Sequence, residues 1–220
     1  KANYLADVQE MKMKKLSAVL LSTLLVATPF AQAKLSVNVG AINVNPTSTA
    51  SAIDQNTALG LVADSDTQLG ITFDYQYSDN IVFELIAATP FSHTVDGAGG
   101  LRGAEIAKVK HLPPTLLAQY HFLDAGAKFR PFVGIGLNYT VFFDEEPTAA
   151  LKATLGTDDV KVDLDNSFGL AVQAGFNYQL NDKWGLHAML SKMDIDTDAT
   201  VYANGQKALT SDVEIDPVVA

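Results

Sequence analysis

The stretch Phe168-Gly-Leu-Ala-Val-Gln-Ala-Gly-Phe-Asn-Tyr-Gln-Leu180 keeps a period of two over its whole length. Phe168, Leu170, Val172, Ala174, Phe176, Tyr178 and Leu180 take one face. Gly169, Ala171, Gln173, Gly175, Asn177 and Gln179 take the other. Successive side chains of a strand point to opposite faces, so this is a β-strand with one apolar side. Asn181-Asp-Lys183 closes it with turn chemistry. The alternation returns at 35–44, 67–77, 81–91, 114–122, 129–143 and 184–193, and an eighth segment follows at 212–220. Short turns stand at 78–80, 124–126 and 181–183. Long polar loops are expected at about 45–66, around the glycine-rich 96–100, at 144–165 and around Asn204-Gly205. Residues 148–155, inside the third of these, have the composition of a short helix.

Alternation alone does not separate a soluble sandwich from a membrane barrel. Two further regularities do. Loops alternate long and short, as in barrels whose periplasmic turns are short. Tyr75, Tyr77, Tyr120, Phe122, Tyr178 and Trp184 all fall at the short-turn ends, where an interfacial girdle belongs. The fold expected is all-β: an eight-stranded antiparallel transmembrane barrel whose last strand is truncated at Val218-Val-Ala220.

The chain opens with residues 1–10, read as an upstream extension. Residues 11–33 have the layout of a secretory signal: Lys12, Lys14 and Lys15, then an apolar run, then Ala31-Gln-Ala33. Residues 34–220 form the barrel domain. Without the first 33 residues, 11 basic residues stand against 23 acidic ones, a net of −12. That argues against nucleic acid as a partner. The acidic loops are read as solvated, with binding of divalent or lipopolysaccharide-bridging cations as the alternative. There is no cysteine, so closure rests on the sheet. No 18-residue apolar run follows residue 33, which excludes a helical membrane protein.

Four stretches are more specific: Ala88-Thr-Pro-Phe-Ser-His93, His111-Leu-Pro-Pro-Thr-Leu-Leu-Ala-Gln119, Lys128-Phe-Arg-Pro-Phe-Val-Gly-Ile-Gly-Leu-Asn-Tyr-Thr140 and Met193-Asp-Ile-Asp-Thr197. With Thr67-Gln-Leu-Gly70 and Asp79-Asn-Ile81, they resemble the OmpW family of outer-membrane proteins, in order, from about residue 34 onward. The resemblance implies an eight-stranded barrel in the outer membrane of a Gram-negative bacterium. It also implies passage of small hydrophobic molecules, and for some members a role as phage or bacteriocin receptor. Family members carry aromatic residues just before the Met-Asp-Ile-Asp stretch and a full last strand with a terminal aromatic. Here Ser191 and Lys192, and Val218-Val-Ala220, stand in those places.

An eight-stranded barrel is narrow and is filled by side chains or by one small ligand. Gln68, Thr72, Glu84, Gln119, Arg130, Asn138, Gln173 and Asn177 are the lumen-lining candidates. Glu84 and Arg130 are expected in a buried polar network. Glycines 70, 134, 136, 169 and 175 face inward and relieve crowding, with a ligand-sized space as the alternative. The four histidines lack metal-ligand spacing. His93 and His111 flank one loop and are read as satisfied rim residues, with a weak metal pair as the alternative. Asp194, Asp196 and Asp198 lack the glycine and glutamate of a calcium loop. No catalytic constellation is present, and no cofactor or metal is expected. Pro90, Pro113 and Pro114 are expected at similar heights on neighbouring strands, where missing donors would open the wall sideways, with prolines that simply end the strands at the membrane surface as the alternative. The function expected is a path for small hydrophobic solutes across or into the outer membrane. The alternatives are a plugged structural barrel serving as a receptor through its acidic loops, and a water-soluble lipocalin-like binder. The expected partners are the lipid bilayer, lipopolysaccharide and small hydrophobic solutes. The barrel is read as a monomer, with an oligomer as the alternative.

Overall fold

The computed structural model describes residues 24–27, 35–47, 51–53 and 56–220. In chain order the strands are β1 (Leu24–Ala27), β2 (Leu35–Asn45), β3 (Ser51–Ile53), β4 (Asn56–Ala63), β5 (Asp66–Gln76), β6 (Ile81–Ala88), β7 (Phe91–Gly99), β8 (Glu105–Leu112), β9 (Thr115–His121) and β10 (Phe129–Pro147). A helix α1 (Ala149–Leu155) follows, then β11 (Val160–Leu164), β12 (Ser167–Gln179), β13 (Trp184–Met193), β14 (Asp196–Ala203), β15 (Gln206–Glu214) and β16 (Val218–Val219).

The strands form two tiers. In the lower tier β2, β5, β6, β9, β10, β12 and β13 pair antiparallel in that order. The circuit returns from β13 to β2 through a shared eighth position. There β16 pairs with both neighbours at one level and β1 pairs with both at another. The last strand is thus two residues long, and the eighth segment expected at 212–220 divides between β15 and β16. Of the leader at 11–33, only Leu24–Ala27 lies among the described residues, as β1. The extension 1–10 lies outside them.

Lower-tier side chains invert the partition of a soluble protein. Leu85, Leu116, Val133, Ile135, Leu137, Leu170, Val172 and Leu190 are exposed on the outside. Asn38, Thr72, Asp74, Glu84, Gln119, His121, Asn138, Gln173 and His187 are buried inside. An apolar belt of that extent is stable only against lipid. The girdle aromatics Tyr77, Tyr120, Phe122 and Trp184 are exposed at the short-turn end. The turns there are held by side chains. Asn181 Oδ1 accepts from the N–H groups of Lys183 and Trp184, and Asn80 Nδ2 donates to the carbonyls of His121 and Leu123.

The upper tier departs from the sequence reading. The long segments expected as loops are largely strands. β11, β14, β15, β3, β4, β7, β8 and the far half of β10 pair in sequence as a second wall. The strand expected at 81–91 divides before Pro90 into β6 and β7. Asn204-Gly205 is the tip of the β14–β15 hairpin, with φ of 51° and 73°, as a primed turn requires. The helix appears as expected. Thr148 caps it by accepting from Leu151 N–H, and Gly156 ends it at φ 69°. Polarity misled the loop reading because upper-tier strands alternate in the opposite sense. Val95, Val109, Val162 and Val201 point inward to a common core, and charged residues point to water. Among the described residues, Val62 is the only large apolar side chain of this tier left exposed.

Of the inward glycines, 136, 169 and 175 sit where neighbouring backbone comes very close. A Cβ on Gly136 would lie 2.0 Å from the Leu116 carbonyl oxygen. One on Gly169 would lie 2.0 Å from that of Asp194. A contact so short is steric crowding.

Candidate functional site

The interior has three levels. At the short-turn end lies a polar network. Gln119 Nε2 donates to Gln173 Oε1 at 2.7 Å, and Gln173 Nε2 donates to Glu84 Oε2 at 2.8 Å. Asn38 Nδ2 donates to Thr72 Oγ1 at 2.5 Å and to Asp74 Oδ2 at 2.9 Å. His121 bonds Gln119 Oε1, and its ring stacks on Phe132, which also stacks on His187. Each member is buried, and these bonds satisfy part of its polar atoms.

The middle level is apolar. Leu117 and Met193 are fully buried at its centre, packed with Ile42, Ile86, Ala171 and Ile195. Asn138 sits beside them, donating to Thr115 Oγ1 and accepting from Thr140 Oγ1. The constriction is therefore aliphatic. Ser191 faces inward and is buried, while Lys192 faces outward and reaches Thr47 Oγ1 and Asp216.

The upper level is a cavity of about 320 Å³. Val109, Phe142, Leu151, Val162 and Ile215 are among its lining. The helix α1 contributes Leu151 and Leu155, which fixes the role of the Thr148 cap. His93 and His111 are among the few polar residues that line it. Their Nε2 atoms are 2.8 Å apart, and His93 Nδ1 donates to the Asp64 carbonyl at 2.7 Å. His93 Nε2 then accepts from His111 Nε2–H, and His111 Nδ1 is left as a buried lone pair without a partner. Burial, with the adjacent His93, pushes His111 down to about 3.

The wall has a break between the tiers. The β6–β9 ladder ends at Ile86↔Thr115, and the β7–β8 ladder begins at Phe91↔His111. Pro90, Pro113 and Pro114 lie in the interval, where no pair forms. Next to the interval Phe91 stacks on His111, which lines the cavity.

Of the lumen-lining candidates, Thr72, Glu84, Gln119, Gln173 and Asn177 gather at the short-turn end, and Asn138 sits at the middle level. Gln68 lies at the opposite rim, bonded to Asp66 and Thr89. Arg130 does not meet Glu84; its guanidinium donates to the Asp79 carbonyl at the short-turn rim. Four members were not among those candidates: Asn38, Asp74, His121 and His187. Asp74 shares the alternating face of Thr72, so its inward direction was legible. Its partners, on β2 and β13, required the register.

An apolar belt outside, a polar floor inside, short turns at one end and a second tier at the other define an outer-membrane β-barrel. A profile of the OmpW family matches residues 31–220. Outer membrane protein W of Vibrio cholerae serotype O1 is 49% identical over 166 residues, covering 74% of this chain and 75% of that one. The crystal structure of outer membrane protein OprG from Pseudomonas aeruginosa matches with a TM-score of 0.74 at 36% identity, covering 90% and 91% of the two chains. The dibenzothiophene metabolism operon protein PahQ of Pseudomonas aeruginosa is 31% identical over 159 residues, covering 71% and 70%. The chain belongs to the OmpW family and resides in the outer membrane of a Gram-negative bacterium.

Proposed function

We propose that this barrel takes small hydrophobic molecules into its upper cavity and releases them sideways into the outer-membrane bilayer, working as a monomer among lipid and lipopolysaccharide. The observation that carries this reading is an apolar cavity whose lining reaches His111, two residues before Pro113 at the gap between the β6–β9 and β7–β8 ladders. The cavity is of a size to hold one small ligand. The path straight down is filled by Leu117 and Met193 and then by hydrogen-bonded side chains. The name of the relative PahQ, from a dibenzothiophene metabolism operon, fits an apolar aromatic solute.

Uptake of a hydrophobic fluorescent probe by proteoliposomes tests the reading. Replacing Pro90, Pro113 and Pro114 together with Val gives the gap backbone N–H groups with which to close the ladder and should slow uptake at least several-fold. Ala199→Phe, which fills the cavity from β14, should do the same without touching the break. Uptake unchanged in the proline variant removes the lateral exit. Uptake unchanged in both removes the cavity as well.

A further inference from the structure

Asp74 and Glu84 stand directly opposite each other on β5 and β6. Both face the interior, with Glu84 fully buried and Asp74 nearly so. Like charges in direct cross-strand register repel, and burial strengthens the repulsion. Among the described residues neither carboxylate has a lysine or arginine partner. His187, on β13, is the third member: its Nε2 lies 3.6 Å from Glu84 Oε1.

In each of these residues an amide side chain holds one polar atom and leaves the other free. Asn38 donates to Asp74 Oδ2, and Gln173 donates to Glu84 Oε2. Asn177 Oδ1 accepts from His187 Nδ1 at 2.8 Å. That last bond places the imidazole proton on Nδ1 and leaves Nε2 as a lone pair. The free atoms are Asp74 Oδ1, Glu84 Oε1 and His187 Nε2, all buried and without a hydrogen-bond partner. One ligand atom from each residue comes within 4.8 Å of those of the other two. Three buried residues, each with an acceptor atom left without a partner, therefore bring ligand atoms together.

We propose that Asp74, Glu84 and His187 form a binding site for one divalent transition-metal ion in the barrel interior. Two ligands at about 2.1 Å from a metal and 3.6 Å from each other subtend about 120°, within the range of a tetrahedral or five-coordinate site. Two carboxylates and one imidazole suit Zn²⁺, Mn²⁺ or Fe²⁺. The three amides orient the ligands from behind, as the outer-shell partners of metal ligands do. The ion would offset both carboxylate charges and tie β5, β6 and β13 together at the short-turn end.

The test is to fold the full chain in detergent with excess ZnCl₂ or CoCl₂, remove free metal and measure bound metal by mass spectrometry. The visible absorption of Co²⁺ reports its ligands. The expected result is about one equivalent per folded chain for the wild type. Glu84→Gln should lose the metal. Asn177→Leu keeps all three ligands and should weaken binding about 10–100-fold. Heat-dependent gel migration confirms that each variant folds, and if Glu84→Gln does not, Asn177→Leu decides. A folded wild type that retains no stoichiometric metal overturns the site; the carboxylates would then share a proton. Equal retention by the wild type and a folded variant, whether Glu84→Gln or Asn177→Leu, overturns it too.

Discussion

Leu190→Arg tests the lipid-facing assignment at the depth where it matters most. Leu190 is 49% exposed on the outer face of β13 and pairs with Ala174 of β12. It lies six residues beyond the girdle residue Trp184. At about 3.3 Å per residue and a tilt near 40°, that is about 15 Å above the girdle. Ala174 is four residues from Tyr178, or about 10 Å by the same conversion. The two heights bracket the midplane of a belt about 25 Å tall. An arginine at the midplane costs about 2–4 kcal/mol, against about 0–1 near an interface. Leu190→Arg should thus lower the folding constant by roughly 30- to 700-fold, and Tyr178→Arg by less than about tenfold. The assay is equilibrium folding into liposomes over a urea gradient, read by the faster gel migration of the folded form. Equal effects of the two substitutions would refute the assignment. So would a Leu190→Arg effect below about 0.5 kcal/mol, since no midplane arginine is that mild.

The other predictions concern the upper cavity and the wall. His111 is held neutral by burial, so its folded pKa of about 3 lies below the unfolded value of about 6.5. Its contribution to stability is complete above pH 6.5 and is lost as pH falls toward 3, by at most about 1.4 kcal/mol per pH unit. Denaturant midpoints measured from pH 7.5 down to 4 should therefore decline less steeply in His111→Phe; parallel curves would show that this histidine does not titrate as its burial requires. Gly136→Ala places a methyl against the Leu116 carbonyl and should destabilise folding by about 1–3 kcal/mol. Gly134→Ala meets Gln119 Cγ at 3.2 Å, which can shift, and should be milder in the same urea titration.

Legibility followed periodicity and failed where register or polarity intervened. The face assignment of β12 could be read residue by residue, because Phe168 to Leu180 alternates without a break. The turn at 181–183 and the short helix expected at 148–155 were legible because their chemistry is local. The upper tier was not read. Val160-Lys-Val-Asp-Leu164 also alternates, but it sits among Thr, Asp and Gly, and its apolar side turns inward to a core rather than outward to lipid. The pairing of Asp74 with Glu84 depends on a register of β5 against β6 fixed by the turn at 77–80. The approach of His187 depends on closure of the whole circuit. Inward polar residues could be named from one strand at a time; which of them touch could not.

If the barrel carries apolar solutes as proposed, the three levels of its interior set the cost of each route. From the cavity, the downward path crosses the packed Leu117 and Met193 and then the polar floor. Opening that floor breaks at least the bonds Gln119–Gln173, Gln173–Glu84, Asn38–Thr72, Asn38–Asp74 and His121–Gln119. Each buried group left without a partner costs about 1–3 kcal/mol, so an apolar molecule in that space faces a barrier of roughly 5–15 kcal/mol from hydrogen bonds alone. The proposed sideways path meets no ladder pair between β6–β7 and β8–β9. No ladder pair joins the strands between Ile86↔Thr115 and Phe91↔His111, and the prolines there have no N–H to leave unsatisfied. An apolar solute leaving through that interval exchanges an apolar cavity for hydrocarbon, a transfer with little free-energy change. The polar floor is then better understood as what keeps the lower barrel sealed and rigid than as a lining that solutes cross.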